Sequence, residues 1–295
     1  MGVRVLIIGF GYLGKTLGHQ LMADGHQVWG IKRHHRASVD QDFDRNIEVI
    51  WQDFHTLSIQ HIPKVDYVVF CPSPDGSTVE HYQHTFLKGS QKALALCRAM
   101  DTNPMLIFVS STSVFQQNKG QWVDETTPCE PDNPKAQVLL QSEQQLMASG
   151  HPVTIVRPSG LYGHGRCHLL DALMQHRAHI CHSTRYSNRI HVVDCARAIY
   201  HIMRLNINDG LYLLTDSEPT PINSIIGWLS SLTGLPIPQD RHEHSADQGD
   251  FRLNKRLSNA RLLESGFSLE YPSFKQGFKE LLIARGLLDH DFNQS

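Results

Sequence analysis

The stretch Ile8-Gly-Phe-Gly-Tyr-Leu-Gly14 constrains this chain more than any other. It leaves an apolar run rich in β-branched residues, Val3 to Ile8, and enters a helical pattern from Lys15 to Ala23. A G-x-G-x-x-G turn in that setting has a mechanical reading. Gly9 permits the tight turn, Gly11 lets the backbone approach a pyrophosphate, and Gly14 lets helix and strand pack closely. Tyr12 and Leu13 complete the turn ahead of the helix whose N-terminus faces the anion. The expectation is a nicotinamide dinucleotide bound on a βαβ unit, with a purely structural glycine turn as the competing reading.

The same alternation recurs downstream. Gly25 closes the first helix and Gln27 to Ile31 reads as a second strand, followed by strands at Glu48 to Trp51, Tyr67 to Phe70, Met105 to Ser110 and Val153 to Val156. Phe86 to Met100 and Ala136 to Ala148 have helical spacing, and Thr126 to Pro134, with three prolines, is loop. Strands alternating with helices predict a parallel sheet. Beyond Pro158 the order loosens. His168 to Ser187 reads as irregular, Ile190 to Met203 as a strand end plus helix, and Leu211 to Leu214 as a strand. Ile222 to Thr233 and Phe274 to Ala284 read as amphipathic helices on either side of the polar segment Gln239 to Asp250. The predicted fold is α/β: a Rossmann-type doubly wound parallel sheet over residues 1–165, completed by about 190–215, with a small C-terminal α/β substrate lobe from 166–189 and 216–295.

Charge narrows the partners. With 27 basic and 29 acidic residues the net charge is −2, which gives no field favouring nucleic acid or an anionic membrane. A small-molecule substrate is the expected partner, bound by a monomer or homodimer. No apolar run approaches bilayer thickness. Cys71, Cys97, Cys129, Cys167, Cys181 and Cys195 form no C-x-x-C pair and read as reduced thiols of a cytoplasmic protein. The nineteen histidines are scattered, and His34/His35 and His242/His244 lack a third ligand nearby, so no metal is assigned.

NAD sites usually end the second strand with an acid that accepts hydrogen bonds from the ribose 2′-hydroxyl. Here Lys32 and Arg33 stand there. Cations suit a 2′-phosphate, so NADP is expected, with NAD the alternative if both side chains are merely solvated.

These motifs and several others together resemble the extended short-chain dehydrogenase/reductase family, which includes sugar-nucleotide epimerases and dehydratases. Asp53 is similar to the family's adenine-contacting acid, and Asp66-Tyr-Val-Val-Phe-Cys71-Pro72-Ser73 to its fourth strand flanking the cofactor. Phe108-Val-Ser110-Ser111-Thr-Ser-Val-Phe115 resembles the fifth strand, which places Ser110 beside the cofactor and Ser111 at the catalytic hydroxyl. Val156-Arg-Pro-Ser-Gly-Leu-Tyr-Gly163 and Ile190-His-Val-Val-Asp194 resemble the sixth-strand motif and the return into the core. The family's Tyr-x-x-x-Lys is the departure. A gapless match through Pro131-Asp-Asn-Pro134 and Glu143 puts Lys135 at the tyrosine and Leu139 at the lysine, as in an atypical branch called YeeZ-like.

Other side chains compete for the missing proton transfer. Tyr162 lies after the sixth strand, where its hydroxyl either reaches a ligand or its ring packs on the loop. Lys135 is either a proton donor or anion partner, or an exposed helix-start lysine. Arg185 and Arg189 hold a phosphate or are solvated. Two functions therefore stand open. One is an NAD(P)-binding epimerase/dehydratase-like oxidoreductase of a small carbonyl or sugar-derived substrate with a degenerate active site. The other is a dinucleotide-binding redox sensor or assembly subunit without turnover.

Overall fold

A computed structural model describes residues 2–34, 47–208, 210–238 and 254–289. Strand β1 (Arg4–Ile8) leads into α1 (Tyr12–Ala23), β2 (Gln27–Lys32), β3 (Glu48–Trp51) and β4 (Tyr67–Phe70). Thr78 caps α2 (Val79–Tyr82), which continues through a π-helical turn over Gln83–Lys88 into α3 (Gly89–Arg98). Next come β5 (Met105–Val109), β6 (Gln121–Val123), α4 (Pro134–Met147), β7 (Val153–Pro158) and β8 (Gly160–Tyr162). The remainder is α5 (His168–Met174), β9 (Tyr186–Ser187), β10 (Arg189–His191), α6 (Val192–Leu205), β11 (Gly210–Leu214), β12 (Thr220–Pro221), α7 (Ile222–Thr233), β13 (Lys255–Leu257), α8 (Ala260–Glu264) and α9 (Phe274–Ala284). The chain divides into two compact units: Met1–Val114, Cys129–Pro158 and Cys195–Tyr212 form the first, and Phe115–Pro128, Ser159–Asp194 and Leu213–Ser295 the second.

The first unit carries a seven-stranded sheet in the order β11-β7-β5-β4-β1-β2-β3. Pairs β1–β2, β2–β3, β1–β4, β4–β5 and β5–β7 are parallel. Strands covered on both faces must be apolar throughout, and all five residues of β5, Met-Leu-Ile-Phe-Val, are buried. The strand order reverses between β1 and β4, and doubly wound sheets bind ligands at the carboxyl ends of strands where that happens. The predicted Rossmann sheet is therefore present, with Gly9 and Cys71 directly after the two strands of the switch point.

Three helices begin earlier than their apolar spacing suggested, α1 among them, at Tyr12 rather than Lys15. The segment from Val79 is helical ahead of Phe86 because the Thr78 hydroxyl accepts from the His81 N–H and nucleates the first turn, a signal carried by one capping residue. Helix α4 starts at Pro134, with Asn133 accepting from the Lys135 N–H. Inside this unit Arg157 and Glu143 form a buried pair, Nε to Oε1 at 3.1 Å and Nη2 to Oε2 at 2.6 Å, and Arg157 Nη1 also donates to the Cys129 Sγ at 3.3 Å.

The second unit packs α5, α7 and α9 around Leu170, Leu173, Ile225, Leu229, Phe274 and Phe278. Leu170 and Leu173 bury one face of α5, a helix inside the stretch read as irregular; with seven residues it is too short for periodicity to announce it. Helix α9 opens with a reciprocal cap between Ser273 and Gln276. Small paired strands complete the unit: β8 with β10 and β6 with β13 in parallel, β9 with β12 antiparallel. The β6–β13 pairing carries residues 115–128 into this unit, a long-range match that no local pattern encodes. His34 is exposed, whereas His35, His242, His244 and the segment Gln239 to Asp250 lie outside the described residues. Among the described residues no group of three or more His, Cys, Asp or Glu is placed to hold a metal, and no helix is long and apolar enough to cross a membrane.

Candidate dinucleotide site

Three glycines do three different things at the end of β1. Gly9 has φ +97°, a left-handed conformation that side chains rarely adopt, and a Cβ there would lie 2.5 Å from the Pro72 Cα and N. A Cβ on Gly14 would lie 2.6 Å from the Gly9 carbonyl oxygen, so α1 packs against the turn only because that atom is missing. Gly11 differs from both: a Cβ there meets nothing within 4 Å. Internal packing thus explains Gly9 and Gly14 and leaves Gly11 unexplained. Gly11 is also the N-cap of α1, with no side-chain cap, and the first turn, which holds Tyr12 and Leu13, contains no acidic residue. A helix end with a positive dipole and open space in front suits a pyrophosphate.

The far wall of the crevice follows β4. The Cys71 N–H donates to the Ile8 carbonyl at 2.8 Å and its Sγ reaches the Gly9 carbonyl at 3.5 Å, so the two strand ends are tied together across the switch point. Burial pushes the Cys71 thiol up to about 12, which keeps it protonated and unreactive. Pro72 closes on Gly9, and Ser73 is exposed. Past β3, the Asp53 Oδ1 accepts from the His55 N–H at 2.7 Å and fixes the turn that presents this acid. At the end of β5 the Ser110 hydroxyl is buried without a hydrogen-bond partner, a group that a ligand or water would satisfy.

Lys32 ends β2 directly opposite Trp51 of β3, and its Nζ sits 5.7 Å from that ring's centroid. Arg33 is ion-paired with Asp75. Neither is a solitary solvated cation: one lies against an aromatic face and the other shares its charge with an acid.

Ser111 follows β5 and its hydroxyl accepts from the Ser113 N–H at 3.1 Å. Lys135 occupies the first turn of α4, half-buried, with Nζ 5.8 Å from the Tyr82 ring centroid. Leu139, one turn on, is 3% exposed and belongs to the core. Tyr82 was invisible to sequence reasoning, since only the packing of α2 against α4 brings it beside Lys135.

In the second unit Tyr162 is buried, its ring stacked on Phe278 at 5.2 Å and edge-on to His191 at 5.2 Å. Its hydroxyl has no partner, and burial pushes the phenol up, so it remains a neutral donor. Arg185 is half-buried with Nη1 3.9 Å from the Cys181 Sγ. Arg189 lies with its guanidinium over Phe278, at 5.6 Å, rather than in solvent. Asp194, fully buried, accepts from the Glu270 and Tyr271 N–H groups at 2.9 and 2.7 Å and so splices the chain before α9 to the start of α6.

Comparison with known proteins agrees with this architecture. A family model described as the NAD dependent epimerase/dehydratase family matches residues 5–210. Protein YeeZ of Escherichia coli (strain K12) is 26% identical over 289 residues, covering 91% of this chain and 96% of YeeZ. A solved structure from Methylobacillus flagellatus, described as an NAD-dependent epimerase/dehydratase, is 29% identical with a TM-score of 0.78, covering 97% of this chain and 100% of that one. UDP-glucuronic acid 4-epimerase from Bacillus cereus, solved with NAD, has a TM-score of 0.75 at 18% identity over 94% of this chain and 96% of its own, a likeness of fold alone. The family match spans more than half of the sequence, so this chain belongs to the NAD dependent epimerase/dehydratase family.

Proposed function

We propose that this member of the NAD dependent epimerase/dehydratase family is an NADP-dependent, epimerase-like oxidoreductase of the cytoplasm, acting on a small carbonyl or sugar-derived substrate with a reduced catalytic set. The observation that carries the cofactor half is the open space at Gly11 in front of the α1 N-terminus. Gly9, Gly11, Tyr12, Leu13 and Gly14 would hold the pyrophosphate, Cys71, Pro72, Ser73 and Ser110 would line the crevice, and Asp53 would meet the adenine. Lys32 and Arg33, in place of a ribose-binding acid, support NADP over NAD. A bound nicotinamide supplies or accepts a hydride.

The protein's own contribution is then orientation and proton transfer. In the first unit Ser111 offers a hydroxyl to a substrate carbonyl or alcohol and Lys135 an ammonium; Tyr162, in the second unit, is a neutral phenol and a candidate proton donor in its own right. A hydroxyl alone is a poor acid or base at neutral pH, so turnover of ordinary nucleotide sugars is expected to be slow: a positioned acid or base contributes roughly 10²–10⁴-fold. The buried Leu139 at the position of the family's lysine favours a second reading, dinucleotide binding without turnover in a sensor or assembly subunit. Following NADPH oxidation against a panel of small carbonyls and nucleotide sugars separates the two. Turnover that falls on Lys135→Ala supports the enzyme, and no oxidation of tightly bound NADPH by any member supports the sensor.

A further inference from the structure

Reducing a carbonyl takes a proton as well as a hydride, and a phenol beside an ammonium is a pair suited to delivering one. The first unit assembles such a pair from two helices. Tyr82 ends α2 and Lys135 lies in the first turn of α4, with Nζ 5.8 Å from the Tyr82 ring centroid. Both side chains are half-buried.

The ring is anchored to the strand that ends in the two serines. Tyr82 meets Phe86 at 5.4 Å and Phe86 meets Phe108 of β5 at 6.4 Å, two residues before Ser110 and three before Ser111. Tyr82 also stands directly ahead of the π-helical turn Gln83–Lys88, and such turns are uncommon and frequent at functional sites. Helix α4 packs against both α2 and the turn Thr112–Val114 that follows Ser111, so it is the element common to the hydroxyl, the ammonium and the phenol.

The polar ends of the pair are unspent. Among the described residues the Tyr82 hydroxyl makes no hydrogen bond and Lys135 has no carboxylate within ion-pair distance. Two other phenols of the unit are committed near the amino ends of the strands. Tyr67, first in β4, donates to the Met203 carbonyl at 3.0 Å, and Tyr200 shares a hydrogen bond of 2.7 Å with His26, just before β2.

We propose that Tyr82 is the proton donor of this protein, with the Lys135 ammonium as its electrostatic partner, a role that rests on the oxidoreductase reading above. The substrate's carbonyl carbon accepts the hydride of reduced nicotinamide, the C=O π bond breaks, and the oxygen takes the Tyr82 proton, giving an alcohol and the oxidised cofactor. The phenolate left behind is stabilised by the ammonium and recovers its proton from water. Ser111, an uncharged hydroxyl, orients the carbonyl by a hydrogen bond.

The test combines labelling with turnover in the full chain. N-acetylimidazole, which acetylates accessible phenols, is applied with and without saturating NADPH, and the products are read by peptide mass spectrometry. Tyr82 should react in the free chain and lose most of that reactivity with NADPH bound, while Tyr67 and Tyr200 serve as controls that the cofactor does not move. Tyr82→Phe keeps the ring and its contact with Lys135. It should bind NADPH within about twofold of the parent, yet lose roughly 10²- to 10⁴-fold in NADPH oxidation with methylglyoxal or phenanthrenequinone as the carbonyl probe. Lys135→Ala should also lower turnover, and Lys135→Arg, which keeps the charge, should restore part of it. Tyr82 labelling indifferent to NADPH, or turnover undiminished in Tyr82→Phe, would overturn the donor and leave the dinucleotide reading standing. Turnover that falls on Tyr162→Phe instead would hand the role to that phenol. Protection of Tyr82 without oxidation by either carbonyl would make it a cofactor contact alone and overturn the proposal as well. A parent that binds no NADPH would sink the cofactor reading, and the donor with it.

Discussion

The Lys135 ammonium lies over the face of Tyr82, 5.8 Å from the ring centroid, two helices meeting through a cation and an aromatic ring. Such a contact holds an ammonium in place without neutralising it, unlike a carboxylate partner. Lys135 thus presents a positioned cation in the first turn of α4, and Leu139, one turn on, lies in the core.

Leu139→Lys should therefore not simply restore a catalytic pair. Placing an ammonium at a site 3% exposed is expected to cost on the order of 3 kcal/mol of unfolding free energy, read from denaturant midpoints at constant slope. An unchanged midpoint would mean that the pocket beside α4 already accommodates a charge.

Arg33 must leave Asp75 to grip a 2′-phosphate. Both side chains are partly exposed, and such pairs are worth about 0.2–1 kcal/mol. Asp75→Asn should then tighten NADPH up to about fivefold while leaving NADH unchanged. Equal effects on both cofactors would remove Arg33 from the 2′-phosphate.

Much of this was legible before any coordinates. The apolar run Val3 to Ile8, the glycines and the alternation of strands and helices specify the central sheet, because a strand buried on both faces and a helix with one apolar stripe leave local signatures. The second unit was harder. Its strands are two or three residues long, each residue of β6 pairs with one of β13 far along the chain, Gln121 with Lys255, and α5 hides in polar sequence. Lys32 and Arg33 were visible as cations, while their contacts to Trp51 and Asp75 depended on tertiary packing. Tyr82 gave no signal at all, as it lies in no motif.

The Arg157–Glu143 pair is buried on both sides, at 6% and 5% side-chain exposure. Removing one partner strands the other charge, so Glu143→Ala should destabilise the chain by about 3–5 kcal/mol. Chemical denaturation measures it, and a loss below 1 kcal/mol would show that water reaches Arg157.

His151 is 6% exposed, shares a hydrogen bond of 2.8 Å with the Pro104 carbonyl, and has its pKa lowered from 6.5, chiefly by burial. A histidine held neutral by the fold takes up its proton more readily when unfolded. Its stabilising contribution is present above the unfolded pKa and declines as pH falls below about 6.5, by at most 1.36 kcal/mol per pH unit. His55 and His191, also lowered chiefly by burial, act in the same direction. His151→Gln should flatten the acid side of a stability profile between pH 7 and 5, relative to the parent; an identical slope would assign the acid sensitivity to other groups.

The most direct measurement is a fluorescence titration of NADPH and NADH against the parent chain and Gly11→Val, at one salt concentration. Gly11 has room for a side chain within the protein and a φ of −99°, so the variant should fold. Its branched side chain would occupy the space in front of the α1 N-terminus. The expected result is a parent that prefers NADPH by roughly 10- to 100-fold, from one or two charge-assisted hydrogen bonds, and a folded variant weakened at least about tenfold toward both cofactors. A folded Gly11→Val that binds NADPH as tightly as the parent would contradict the placement of the dinucleotide.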